Sequence, residues 1–383
     1  MQIIPEFYQT HLRTQLNQAQ YLILSILLTL LQRYRWVRLE ELADKFPQLI
    51  RFESRRKKIQ RFLDLPQLTI EKIWFPLFSD WLKREFEISE VLYVVIDRTQ
   101  WGCINLLMVS IISEHRAIPI YFDLLPKLGS SGLAEQKALL EKVLPLLKDY
   151  KKVVLGDREF CSVDLAAWLN SQNQTYFCLR LKRSEYIEKE AEVWVQLNAL
   201  GLAPGVCLYF KGVKVTKTKG FTGGNVACKW RRKYRGWTAD EGWFILTSLE
   251  GLDAALTAYQ KRFRIEEMFR DFKSGGYNLE GTKVSGDRLI ALILLITLAY
   301  SSATMSGQEI KQKGVANYVG RVKEPNRTQQ RHSSFYIGLH GRDWVESLEF
   351  FAEETEELMR LSPHKRQNYQ RGQRAAKLIR SAA

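Results

Sequence analysis

The chain has 383 residues, of which 46% are hydrophobic and 26% are charged. This composition is that of a globular protein with a sizeable core, in about two or three domains. The formal net charge of +15 is unfavourable for a compact protein without a partner, because unbalanced charge repels itself. Nucleic acid is the expected polyanionic partner, and a merely soluble basic protein is the alternative.

The five cysteines are scattered, and no two of them have the C-x-x-C spacing of a metal site. An odd, scattered set argues against a disulfide framework and is typical of a reducing cytosol. The N-terminus shows no signal-peptide pattern, and the apolar runs at residues 21–31 and 289–299 are too short to span a bilayer. We therefore expect a cytoplasmic, nucleoid-associated protein without a membrane partner.

Residues 1–88 are predicted to form a helical DNA-binding domain. Residues 39–46 carry apolar side chains at i, i+3, i+4 and i+7, and Pro47 ends that helix. The next helix is basic, and a short helix, a tight turn and a basic helix are the outline of a helix-turn-helix. A small bundle with a solvated basic face is the alternative. The expected DNA contacts on this helix are Arg55, Arg56, Lys57, Lys58 and Arg61.

Residues 89–183 predict a mixed α/β sheet, because strand-like and helix-like runs follow one another. The same pattern returns at residues 251–305, with helices predicted at 252–273 and 289–300. Residues 306–383 are predicted to form a C-terminal helical region with a basic tail.

Residues 184–250 interrupt the α/β pattern and predict a β-rich insertion with a basic face. Between Val193 and Ala239 the sequence has no acidic residue and nine basic ones. Three of these, Arg231, Arg232 and Lys233, are the expected DNA contacts of the insertion.

Two aspartates directly follow continuous apolar runs typical of buried strands. Asp97 follows residues 91–96, and Asp157 follows residues 153–156. Carboxylates at strand ends project into the crevice where ligands bind, and neighbouring carboxylates need a cation or a proton between them. Oxygen ligands without Cys or His favour Mg²⁺ or Mn²⁺. The alternative is that each Asp caps a turn or a helix, most directly Asp157.

A third group of polar residues lies on one helical stripe. Tyr259, Arg262, Glu266 and Lys273 follow one another in steps of 3, 4 and 7, which places them within about 60° around a helix axis. One interpretation is a simple ion pair between Arg262 and Glu266. The other is that Glu266 completes a metal site while the cations hold DNA phosphates. Glu267 is the neighbouring alternative to Glu266.

The spacing Y-x2-R-x3-E-x6-K resembles the signature of bacterial insertion-sequence DDE transposases that have a β-rich insertion in the catalytic domain. The segments Ile96-Asp97-Arg98-Thr99 and Gly156-Asp157-Arg158-Glu159 and the position of the insertion agree with this resemblance. It implies a ribonuclease-H-like catalytic fold in which Asp97, Asp157 and Glu266 hold two Mg²⁺ or Mn²⁺ ions.

The resemblance also implies roles for other residues and partners. Tyr259, Arg262, Lys273 and Arg158 would contact DNA, and Trp243, in a Trp-x-x-Leu-Thr-Ser segment, is similar to a residue that stacks on a flipped base. Trp243 as a core residue is the alternative. The implied activity is two-metal phosphodiester hydrolysis and strand transfer through a DNA hairpin. The implied partners are terminal inverted repeats, target DNA and a second copy of the chain.

Two other functions remain open from the sequence. One is a ribonuclease-H-like nuclease or resolvase, and the other is a catalytically inactive or regulatory DNA-binding protein whose acidic residues are structural.

Overall fold

A computed structural model of the chain describes residues 4–232, 240–321 and 331–382, so the predicted DNA contact Lys233 lies outside the described residues. The α-helices of these ranges are α1 (Glu6–Gln15), α2 (Gln18–Tyr34), α3 (Leu39–Lys45), α4 (Phe52–Leu63), α5 (Phe75–Glu85), α6 (Leu133–Val143), α7 (Val163–Asn170), α8 (Leu252–Gln260), α9 (Phe263–Phe272), α10 (Gly286–Gln312), α11 (Ser334–Phe350), α12 (Ala352–Arg360) and α13 (Arg366–Ser381). The β-strands are β1 (Val91–Trp101), β2 (Ile104–Ser113), β3 (Arg116–Leu124), β4 (Lys151–Gly156), β5 (Thr175–Arg180), β6 (Tyr186–Glu190), β7 (Val193–Gln196), β8 (Cys207–Phe210), β9 (Asn225–Lys229) and β10 (Trp243–Thr247).

The chain divides into two compact units. The first combines Met1–Leu77 with Asp271–Ala383, and the second is Phe78–Arg270. Helix α10 belongs to the first unit, where it packs against α2 and α11, whereas its residues 286–305 are predicted from the sequence to belong to the catalytic domain. The apolar pattern of a helix does not specify which other apolar face will cover it. The predicted domain boundaries stay predictions.

The second unit is built on a mixed sheet with the strand order β3-β2-β1-β4-β5-β10-β9-β8. Strands β1, β2 and β3 are antiparallel neighbours, β4 pairs in parallel with β1, and β5 pairs in parallel with β4. This order and these directions are those of a ribonuclease-H-like sheet, so the predicted fold class is confirmed. Buried apolar side chains make up most of β2 and β4, as expected for strands covered on both faces.

The insertion contributes strands to two sheets. Strands β6 and β7 form a separate antiparallel pair, whereas β8, β9 and β10 extend the central sheet beyond β5. The sequence predicts short strands here but not their partners, because sheet pairing depends on distant residues. The extension brings Trp243, the first residue of β10, into the same sheet as Asp97.

The first unit is organised around α10. The helix has 27 residues and is long and apolar enough to cross a membrane by length and composition, but 89% of its most apolar window is buried inside the protein. It is longer than the predicted helix at 289–300. It crosses α11 very closely: a Cβ atom at Gly307 would lie 1.8 Å from the Ser334 carbonyl oxygen, and one at Gly338 would lie 1.8 Å from that of Ala303.

The predicted pair of N-terminal helices is present in this unit as α3 and α4, which pack against each other. Leu42 of α3 and Ile59 and Phe62 of α4 are buried. The opposite face of α4 is turned to solvent and carries Lys57 and Arg61. DNA contact by this face stays a prediction.

Candidate active site

Asp97 and Asp157 lie on adjacent parallel strands. The pairing of β1 with β4 ends at Val95 and Leu155, and each aspartate follows two residues later. The sequence predicts that the strand ends before Asp97, but β1 continues to Trp101 as one arm of the hairpin with β2, so Asp97 lies within the strand. Asp157 does cap a turn, since its Oδ1 accepts the Glu159 amide at 2.8 Å. Capping uses one carboxylate oxygen and is compatible with a second role for the other.

Asp97 is a largely covered carboxyl, 13% exposed, whose two oxygens both accept hydrogen bonds. Oδ1 accepts the Arg98 amide at 2.8 Å, and Oδ2 accepts Nη1 of Arg262 at 3.3 Å. Burial raises the pKa of Asp97 to about 7; Arg262 opposes this shift, and the nearby Asp157 and Glu266 carboxylates add to it. Asp157 and Glu266 are therefore each close enough to Asp97 to repel its negative charge, and a cation is stabilised in such surroundings.

The helix predicted at residues 252–273 is broken into α8 and α9. At the break, the amides of Lys261 and Arg262 bond the carbonyls three residues earlier, as in a tight 3₁₀ turn. The hydrophobic periodicity of the sequence continues across the break, so the periodicity does not predict that the helix is interrupted there.

Arg262 lies at this break between two carboxylates. It is only 4% exposed, yet it donates from Nη1 to Asp97 and from Nη2 to Oε1 of Glu266 at 2.5 Å. The side chain of Glu266 is 53% exposed. The neighbouring Glu267 is paired with Arg116 and Arg264 instead, which favours Glu266 as the residue of the site.

The other two members of the stripe, Tyr259 and Lys273, lie in different surroundings, and their contacts with DNA stay predictions. Tyr259 is completely buried against Trp243 and Phe263, and burial raises its pKa to about 12. Its hydroxyl is therefore not presented at the surface for a phosphate. Lys273 directly follows the last residue of α9, and its ammonium lies 2.8 Å from Oε1 of Glu280.

The donor set fits a divalent ion in chemistry, but the side chains are not gathered around one position. Within residues 4–232, 240–321 and 331–382, no group of three His, Cys, Asp or Glu side chains is arranged to hold a metal ion. Asp97, Asp157 and Glu266 supply only hard oxygen ligands, which suit Mg²⁺ or Mn²⁺. Here the Arg262 guanidinium stands between two of them.

A largely covered clamp, made by Arg98 and Glu159, joins the segments that follow the two aspartates. Nε of Arg98 donates to both carboxylate oxygens of Glu159, at 3.0 and 2.9 Å, and Glu159 also accepts the amide and hydroxyl of Ser131. Arg98 also donates a hydrogen bond to the Asn105 side-chain oxygen, and the Asn105 side-chain nitrogen donates to the carbonyls of Lys127 and Gly129. The clamp ties β1 and the turn after β4 to the loop before α6.

The family model for the transposase DDE domain matches residues 108–301, which is half of the chain. The chain belongs to this family. The matched residues include Asp157 and Glu266 and begin after Asp97.

Among solved structures, the transposase is similar to the piggyBac transposase in a synaptic complex with hairpin DNA, at 12% identity and a TM-score of 0.40. That similarity covers 89% of this chain and 76% of the other. Marinitoga piezophila Argonaute with a 5′ OH guide RNA is similar over 60% of this chain and 34% of its own, at 10% identity and a TM-score of 0.26. No curated protein matches the sequence.

An aromatic and basic groove opens beside the end of α8 in the transposase. Trp243 on its wall is 9% exposed, and its ring lies 5.6 Å from that of Phe263 at an angle of 34°. The Arg231 guanidinium lies 5.0 Å from the Trp243 ring centre. Trp243 is thus mainly a packed residue that also lines the groove, and its stacking on a base stays a prediction.

Arg158 is held by an acidic partner near the same groove. Glu241, which lines the groove, accepts Nη1 of Arg158 at 2.7 Å and also pairs with Arg180 of β5. Arg158 is 52% exposed, whereas Arg180 is largely covered. A phosphate that contacts Arg158 has to compete with the Glu241 carboxylate.

The residues of α4 that are predicted to contact DNA differ in their exposure and in their present partners. Arg56 pairs with Glu53, and Lys58 donates to Gln48, whereas Lys57 and Arg61 are exposed. Arg55 is only half-buried. In the insertion, Arg231 and Arg232 are exposed.

The sequence predicts no role for four polar residues of the second unit that form ion pairs near the site: Arg98, Glu159, Arg180 and Glu241. A signal existed for the first two, because each stands next to or near a predicted catalytic aspartate in a strand-end segment. Arg180 and Glu241 have no such signal, since their pairing depends on β10 lying beside β5.

Proposed function

We propose that this transposase cuts and joins DNA at the ends of a bacterial insertion sequence, with Asp97, Asp157 and Glu266 as its catalytic carboxylates. The observation that carries the proposal is the position of Asp97 and Asp157 on adjacent parallel strands with Glu266 nearby, where burial and repulsion by the other two carboxylates raise the pKa of Asp97. The family match and the strand order support it.

Asp97, Asp157 and Glu266 would hold Mg²⁺ or Mn²⁺, with two ions in each site. When bound, the ions would supply activation of the attacking oxygen and stabilisation of the leaving oxygen. Asp97 is fixed by the Arg98 amide, and Asp157 by its own turn, so two ligands are preorganised. Glu266, on the exposed face of α9, is the ligand that can turn toward an ion.

The surrounding residues would bind and orient the DNA. Exposed cations of the groove and of α4 attract phosphates, and Arg262 offers a guanidinium beside the carboxylates. Trp243 lines the groove, and an unpaired base that stacks on its ring would take the place of the Arg231 guanidinium. We further propose cleavage through a DNA hairpin, a dimer on paired terminal repeats, and action in the cytoplasm on the nucleoid.

The test is metal-dependent cleavage of a labelled duplex that carries the element's terminal repeat. We expect wild type with Mg²⁺ or Mn²⁺ to cut at the end, and Glu266→Gln to bind the same duplex without cutting it. Glu267→Gln is the matched control, because it removes the adjacent carboxylate, and should still cut. Cutting by Glu266→Gln, or loss of cutting only in Glu267→Gln, would overturn the assignment.

The alternatives give different results in the same assay. A nuclease or resolvase would cut but would not join the released 3′ end to a target duplex. A catalytically inactive or regulatory protein would bind the terminal repeat and cut under neither metal.

A further inference from the structure

The guanidinium of Arg262 lies between two carboxylates of the candidate site, at a position where a bound metal ion would also balance their charge. Its guanidinium donates to Asp97 with one terminal nitrogen and to Glu266 with the other. The side chains of Arg262 and Asp97 are 5% and 13% exposed, so salt screens their contact weakly, whereas the contact with Glu266 is open to water on the glutamate side. The arrangement places one positive charge between two of the three carboxylates without a metal ion.

The same two carboxylates are proposed ligands of a divalent ion. An ion bound by both carboxylates would lie beside the guanidinium. The positive charges of the ion and of the guanidinium would then repel each other strongly, because the site is largely shielded from water. The geometry agrees with this exclusion, because no metal-holding group of three side chains is formed within the described part of the chain.

We propose that Arg262 keeps the metal site closed in the DNA-free protein and that a DNA phosphate opens it by binding the guanidinium. This inference rests on the proposed roles of Asp97 and Glu266 in metal binding. The phosphate is a suitable competitor, because guanidinium groups bind phosphate oxygens in the same two-pronged manner as carboxylates. The metal site is then completed only after DNA has arrived.

The neighbouring residues allow this exchange without unfolding the site. The Arg262 guanidinium lies 4.5 Å from the Phe263 ring centre and 5.8 Å from that of Tyr259, which support the side chain by packing. Glu266 is half exposed and can rotate once it is released. Asp97 stays fixed through the Arg98 amide.

Thermodynamic linkage makes the proposal measurable without catalysis. If DNA raises the affinity for the ion, the ion must raise the affinity for DNA by the same factor, and such couplings are commonly about 5- to 150-fold. Replacing Arg262 by a neutral residue removes both the competitor and the coupling.

The experiment measures Mn²⁺ binding by the electron paramagnetic resonance signal of free Mn²⁺, with and without a blunt DNA duplex of arbitrary sequence. We expect wild type to bind Mn²⁺ about 10-fold more tightly with the duplex than without it. Arg262→Met should bind Mn²⁺ tightly without DNA and gain little from it. Lys261→Met is the matched control, because it removes the adjacent positive charge, which lies over the Tyr93 ring. It should behave as wild type.

Three results would overturn the proposal. They are equal Mn²⁺ affinity of wild type with and without DNA, an equal gain in both methionine variants, and no Mn²⁺ binding under any condition. The first two leave the proposed cleavage activity standing, and the third removes the proposed metal ligands as well. If Arg262→Met fails to fold, Arg262→Lys replaces it, since a lysine can approach only one carboxylate closely; it should bind Mn²⁺ more tightly than wild type without DNA.

Discussion

Burial of the Asp97 carboxyl makes the stability of the metal-free transposase depend on pH. Its pKa is about 7 in the folded protein, against an ordinary value of 3.8. Between these values the folded state holds a proton that the unfolded state has released, so the free energy of unfolding falls as pH rises. The loss of stability is complete above the pKa of Asp97 in the folded protein, and it is absent below the ordinary pKa of an aspartate.

Asp97→Asn should remove this dependence. At about pH 8 and with the metal chelated, we expect the variant to be more stable than wild type by at most roughly 4 kcal/mol, with the difference vanishing near pH 4. Urea unfolding at a series of pH values measures it. Asp123→Asn is the control, because exposed Asp123 accepts its neighbour's amide as Asp97 does. A gain for Asp97→Asn that stays constant across this range would contradict the assigned cause.

Glu159→Gln should weaken the clamp that joins β1 to the turn after β4. The Arg98–Glu159 pair is largely buried, and leaving one partner of such a pair unmatched costs roughly 3 kcal/mol. We expect a lower urea midpoint and slower cleavage, with binding of the terminal repeat retained. Glu353→Gln, on exposed α12, should change neither property. Unchanged stability of Glu159→Gln would show that the clamp is dispensable.

The sequence allows much of the candidate site to be predicted, because strand-end carboxylates and helical spacing are local patterns. Asp97, Asp157, Arg262 and Glu266 are found near one another for that reason. Burial of Tyr259 could not be predicted, since it depends on Trp243 arriving from β10.

At the scale of elements, the crossing of α10 and α11 requires glycine at two positions. A methyl group at Gly307 or Gly338 would overlap a backbone carbonyl of the facing helix. We expect Gly307→Ala and Gly338→Ala each to lower the free energy of unfolding by about 1–3 kcal/mol, because the helices must separate. Thermal unfolding measures this loss.

Gly372→Ala is the matched control for the crossing, since it lies within α13 and an added Cβ would only touch the Tyr318 ring at 3.9 Å. There alanine should be neutral or stabilising by up to about 1 kcal/mol, through its better helix propensity. Equal destabilisation in α13 would indicate a general sensitivity to substitution rather than close packing.

The exposed face of α4 should contribute to DNA binding through charge. Lys57→Ala and Arg61→Ala should each reduce the slope of log affinity against log salt by about 0.9, the value for one phosphate contact. Arg56→Ala should change the slope less, because its guanidinium already pairs with Glu53. Titrations of a duplex at several salt concentrations measure the slopes. Identical slopes for all three variants and wild type would remove α4 from the interface.

At the scale of the whole molecule, the sequence predicts the α/β class and the helical N-terminal part, because both follow from periodicity. It does not predict that β8–β10 extend the central sheet, or that the two ends of the chain fold into one unit. Both features depend on contacts between residues far apart in sequence, for which a single sequence has no pattern.

The burial of α10 has a consequence for the synthesis of the transposase. Its cover α11 lies later in the chain, so α10 emerges from the ribosome first and waits a few seconds at ordinary elongation rates. During that interval an apolar helix of near-membrane-spanning character is available to chaperones or to another nascent chain. A transcript truncated before α11 would leave α10 without this cover permanently, and its product should aggregate or be degraded rather than accumulate.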